Sequence, residues 1–127
     1  MPQLPHSIEL HDSVLAAIRN DRGSIRLSFS PAYIHRDGKG WIQNVDVIVN
    51  AATLAGTSFA LPSDVADGTL RTKLGPYHNL LNIPFATTGP VELRLMMRCG
   101  ADLTIKGSGI SHIFIGDPTF VEVFPDG

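Results

Sequence analysis

The chain has 127 residues, with ten Lys and Arg against twelve Asp and Glu, for a formal net charge of −2 at pH 7. That length sets a single domain, 1–127, able to bury a core of its own, and a near-neutral balance without any basic cluster argues against nucleic acid as a partner. Hydrophobic residues make up 43% of the chain, enough for a packed interior, but no apolar run approaches a membrane span, so no membrane partner is expected.

Met1-Pro-Gln-Leu-Pro-His6 has neither a basic n-region nor an apolar h-region, so the expected compartment is the cytoplasm. Ser7–Leu10 and Val14–Ile18 read as strand on either side of His11-Asp12-Ser13. One uninterrupted strand would turn Asp12 inward with Ile8, Leu10, Val14 and Ala16. A buried carboxylate costs several kcal/mol unless it is paired, so Asp12 has a dedicated partner or a bend turns it away. The simpler expectation is a structural bend in which Asp12 and Ser13 satisfy backbone amides.

Asn20-Asp-Arg-Gly23 is a hairpin loop, and Ser24–Ser30 then alternates with Ile25, Leu27 and Phe29 inward. Pro31 has no amide donor and belongs at an edge or bulge. With the register unbroken, Tyr33 and His35 would continue the inward face. Arg36–Gly40 is a second turn, and Trp41 opens a strand with Val45, Val47 and Val49 inward. Leu61–Gly68 is the one short helical candidate, with Ser63–Ala66 as its turn and Ser63 as its cap.

Thr69–Leu74 and Tyr77–Phe85 read as strands, the second because Pro84 and the turn at Ala86–Pro90 disfavour a helix. Val91, Leu93 and Leu95 share one face, and the lone cysteine, Cys99, would continue it as an inert core thiol. Leu103 and Ile105 follow on the next strand, Gly107-Ser-Gly109 reads as a turn, and Ile110–Ile115 and Thr119–Phe124 close the chain around Gly116-Asp-Pro118. The fold class is therefore all-β: an antiparallel β-sandwich or flattened, jelly-roll-like barrel of about eight short strands with at most one short helical turn.

Among chemical motifs, Gly75-Pro-Tyr-His78-Asn-Leu-Leu-Asn82 resembles the tail of the second cupin motif, Gly-x-x-His-x-x-x-Asn. Gly75, His78 and Asn82 carry the resemblance. Lys73 stands where that motif has proline, and the first cupin motif, with its His-x-His and Glu, has no counterpart. The resemblance implies a jelly-roll barrel with His78 as a metal ligand. A second candidate is the cluster His11, Asp12, Tyr33 and His35, in which a carboxylate near a histidine would orient the ring for base catalysis or metal binding.

Gly56-Thr-Ser-Phe-Ala60 lacks the second glycine of a nucleophile elbow. Lys106–Gly109 and Gly38–Gly40 lack phosphate-loop spacing, so no cofactor is expected. Ile110–Ile115 is apolar on both faces, with Ile113 and Ile115 on one side and Ile110 and Phe114 on the other. Such a strand is either central or covered by another subunit, which makes Ile113 and Ile115 the candidate interface of a homodimer. Two functional expectations follow. The first is a small non-catalytic protein working through protein contacts, such as an accessory or immunity-type protein with its own protein partner. The second is a metal-dependent enzyme or small-ligand binder using His78 or the His11, Asp12 and His35 group.

Overall fold

The structure, a computed structural model, describes residues 6–123, all of whose regular elements are strands. In chain order these are β1 (Ser7–Glu9), β2 (Val14–Asp21), β3 (Ser24–Arg36), β4 (Lys39–Val49), β5 (Thr53–Gly56), β6 (Ser63–Thr72), β7 (Gly75–His78), β8 (Leu80–Asn82), β9 (Thr87–Met97) and β10 (Asp102–Val123). Phe124 and the Met1–Pro5 stretch lie outside the described residues. No helix among those described is long and apolar enough to cross a membrane.

Every pairing is antiparallel, and the order β2-β6-β9-β10-β4-β3 closes because β2 also pairs with β3. Six strands thus form a flattened barrel, with β1 and β8 extending the sheet beyond β3, β5 lying along β10, and β7 along β6. Closure removes most of the edges that an open sheet would expose.

Two short turns set the register of the first three long strands. Arg22-Gly23 and Asp37-Gly38 all have left-handed φ (53° and 86°, 55° and 72°). Each pair is enclosed by a matched pair of residues, Asp21 with Ser24 and Arg36 with Lys39. This is the two-residue hairpin connection whose twist suits the flanking strands. Ile25, Leu27 and Phe29 then face Val49, Val47 and Val45, and all six are buried with Leu93, Leu95, Leu103 and Ile105 from the other side. Each such side chain contributes about 1.5–3 kcal/mol by leaving water.

The structure corrects four expectations. Ser63–Ala66 is not a helical turn but the start of β6, because its backbone is claimed from both sides. The Val65 N–H donates to the Ser13 carbonyl and the Arg98 N–H to the Asp64 carbonyl, both at 3.0 Å. Gly68 fits that crowded strand only because it lacks a side chain: a Cβ there would lie 2.5 Å from Leu10 Cδ1 and 3.0 Å from Leu95 Cδ2.

Next, a bulge between Phe29 and Ala32 changes the face of β3. Ala32 and Ile34 take the core side, and Tyr33 and His35 lie on the opposite face, with His35 buried there. Cys99, expected in the core, is exposed. Strand β9 ends at Met97, and the chain turns back through Gly100, whose N–H donates to the Met97 carbonyl at 3.0 Å.

Finally, Gly107–Gly109 is not a turn, and β10 runs through it as one strand. Gly107 serves close packing instead: a Cβ would sit 2.5 Å from the Asn50 carbonyl oxygen and 2.6 Å from Val49 Cγ1. The strand count rises to ten because β1, β5, β7 and β8 are pairing segments of three or four residues.

Candidate functional site

The polar residues gather at the bend between β1 and β2. Asp12 has φ 75°, so the backbone turns there and its carboxylate points to solvent. The bend is fixed chiefly by Ser13. Its buried hydroxyl donates to the Glu9 carbonyl at 2.6 Å and accepts the Tyr33 N–H at 3.0 Å. Asn79 holds the other side: its Oδ1 accepts the His11 N–H at 2.6 Å, its carbonyl accepts the Leu10 N–H at 2.7 Å, and its own N–H donates to the Gly68 carbonyl at 2.8 Å. The structural bend expected here is present, but Ser13, not Asp12, satisfies the backbone.

Within this frame Glu9 stands between two histidines. Its Oε1 is 3.2 Å from His35 Nε2, and its Oε2 is 3.8 Å from His11 Nδ1. Asp12 shares the pattern, with Oδ2 at 3.3 Å from His11 Nδ1 and Oδ1 at 3.4 Å from Arg98 Nη2. Burial pushes the Glu9 carboxyl above the usual carboxylate range, His35 opposes that shift, and the neighbouring Asp12 reinforces it. The pairing of β1 with β3 builds this contact, since Ser7 lies opposite His35 and Glu9 opposite Tyr33.

Of the four residues the sequence offered as a cluster, His11, Asp12 and His35 converge, with Glu9 at their centre. Tyr33 packs edge-on against His35, ring centroids 5.4 Å apart, but its hydroxyl donates to Glu122 Oε1 at 2.6 Å. Burial and that carboxylate raise the Tyr33 pKa. Glu9 was the residue sequence reasoning passed over. The available signal was Glu9-Leu-His-Asp12, three metal- or proton-binding side chains within four positions before a turn.

His78 stands apart from the three clustered residues. It is exposed, and its Nε2 lies 2.9 Å from Asp67 Oδ1 and 3.0 Å from Oδ2. That imidazole holds the Asp67 carboxyl below its ordinary range, against a smaller opposing effect of burial. The one group of three or more His, Cys, Asp or Glu side chains that could hold a metal ion among the described residues is Glu9, His11 and Asp12, and it does not include His78.

Ile113 and Ile115 lie on β10 beyond Ile110, where the strand pairs with β4 and no longer with β9. They are 46% and 44% exposed, and Phe120, Val121 and Val123 continue the exposed apolar surface. On the opposite face, His112 stacks on Phe85 with centroids 4.3 Å apart. Its Nδ1 is buried without a hydrogen-bond partner among the described residues. Burial, and secondarily His6, lowers its pKa.

No protein-family model matches the chain, and no curated protein or solved structure matches it either. The functional reading therefore rests on the fold and on these side chains.

Proposed function

We propose that this protein works through protein contacts rather than catalysis, an accessory or immunity-type protein that pairs with a second copy of itself along β10. The observation that supports this reading is the second half of that strand. Among the described residues, nothing pairs with the side of Ser111–Val123 that faces away from β4, while Ile113 and Ile115 stand half-exposed beside it. Unpaired strand edges invite further strands, and Ser111–Ile115 contains neither acid nor Lys nor Arg to discourage one.

A second copy suits this edge because antiparallel pairing about Ile113 is self-complementary. It sets Ile113 against itself, Ser111 against Ile115, and His112 against Phe114, an aromatic cross-strand pair of the kind that stabilises sheets. Covering the exposed half of four isoleucines would contribute on the order of 4 kcal/mol, near the lower bound of what association costs. The dimer therefore depends on main-chain hydrogen bonds along the edge as well.

Light scattering or sedimentation should find a dimer at micromolar concentration for the native chain and a monomer for Ile113→Lys. Thr104→Lys, in the part of β10 flanked on both sides, should stay dimeric. A monomeric native chain at that concentration overturns the reading.

A further inference from the structure

The geometry points to a divalent-metal site of zinc type formed by Glu9, His11 and Asp12, with His35 and Arg98 holding the carboxylates in place. This site lies apart from the β10 edge, so it stands or falls independently of self-association. The argument starts from the order of atoms around His11 Nδ1. Glu9 and Asp12 each turn one oxygen toward that nitrogen, Oε2 at 3.8 Å and Oδ2 at 3.3 Å. All three ligand atoms lie within 4.8 Å of one another. A tetrahedral ion about 2.0–2.1 Å from each ligand sets ligand–ligand separations of about 3.3–3.4 Å. The two separations from His11 Nδ1, 3.3 and 3.8 Å, are already near that value, and the two carboxylates would close from within 4.8 Å.

The remaining carboxylate oxygens are committed elsewhere. Glu9 Oε1 faces the Nε2 of His35, whose side chain is only 5% exposed, and Asp12 Oδ1 faces Arg98. Protein metal sites characteristically hold ligating carboxylates by such outer hydrogen bonds, which fix the free oxygen's direction. His11 is positioned through its backbone, where Asn79 Oδ1 takes the N–H. With its proton on Nε2, the neutral ring presents the Nδ1 lone pair between the two carboxylates.

One imidazole and two carboxylates form a donor set suited to a borderline first-row divalent cation. Side-chain exposures of 45% for His11 and 44% for Asp12 give the ion an entry path. Three protein ligands leave a fourth position for water or a ligand atom.

The test uses the full chain without a histidine tag and zinc chloride as the probe. Isothermal titration should show one zinc per chain, and zinc should shift the His11 imidazole resonances in NMR spectra of the native protein. His11→Ala and Asp12→Asn, checked for folding by circular dichroism, should lose saturable binding. His35→Gln should bind one zinc about 10–100-fold more weakly, and His78→Ala should bind as the native chain does. No saturable binding by the native chain at about 100 μM zinc, which would leave no ligand-linked stabilisation to detect, overturns the site. So does undiminished binding by His11→Ala, or zinc-induced shifts at His78 or His112 in place of His11.

Discussion

Strand β10 passes through two environments. From Leu103 to Lys106 it has β9 on one side and β5 on the other, and from Ser111 to Val123 β4 is its one strand neighbour among the described residues. The alternation slips by one residue at the bulge between Ser108 and Ile110, which moves the outward positions from even to odd numbers, and the outer face changes character. Asp102, Thr104 and Lys106 occupy it in the first half, and Ile113 and Ile115 in the second. A strand with neighbours on both sides needs only solvent on its outer face, whereas the half that lacks a neighbour carries apolar side chains there. Among the described residues, apolar surface and an unpaired strand edge coincide there, and the proposed self-pairing would cover both.

The largest expected effect tests that contrast through the core. Ile105 is fully buried, so Ile105→Ala should cost about 2–5 kcal/mol in urea unfolding. Ile113→Ala, measured at a concentration where the protein is monomeric, should change stability by less than about 0.5 kcal/mol. Equal losses would mean that the two halves are packed alike.

Glycines sharpen the comparison at an intermediate scale. Gly107→Ala drives a methyl into the Asn50 backbone and Val49 and should destabilise by about 1–3 kcal/mol. At Gly116 an added methyl meets nothing within 4 Å, but φ is 73°, so Gly116→Ala should cost about 1 kcal/mol from backbone strain alone. Thermal midpoints at one pH would rank the two.

The smallest effect concerns pH. Burial holds the His112 pKa below its ordinary value in the folded chain, so the unfolded chain takes up the proton first as pH falls. The stabilising contribution is complete above about pH 6.5, the ordinary histidine value, and declines as pH falls toward the lower folded value. His6 is the charged neighbour that reinforces this direction. Comparing urea midpoints at about pH 7.5 and about pH 5.5, His112→Phe should lose less stability than the native chain. An identical pH response would show that His112 titrates alike folded and unfolded.

Much of the fold was legible because alternation is a local property. Ile25, Leu27 and Phe29, Val45, Val47 and Val49, and Leu103 and Ile105 could be assigned inward from spacing alone, and Asp37-Gly38 announced its turn. What escaped the sequence depended on distant partners. Tyr33 and His35 changed face because of a bulge at Pro31, whose register is set by β4. Leu61–Gly68 looked helical until Ser13 and Arg98 claimed its backbone. The candidate site was half visible, since His11, Asp12 and His35 were named, but the register of β1 against β3 was needed to put Glu9 between the histidines.

The hydrogen bond from the Tyr33 hydroxyl to Glu122 reaches from β3 across β4 to the far end of β10. It works as a crossbar: the two outer strands of that trio cannot shear past one another without stretching it. The same tyrosine gives its N–H to Ser13, the residue that pins the bend beneath His11 and Asp12. A pull on the end of β10 therefore reaches, through the single residue Tyr33, the bend that carries the polar cluster.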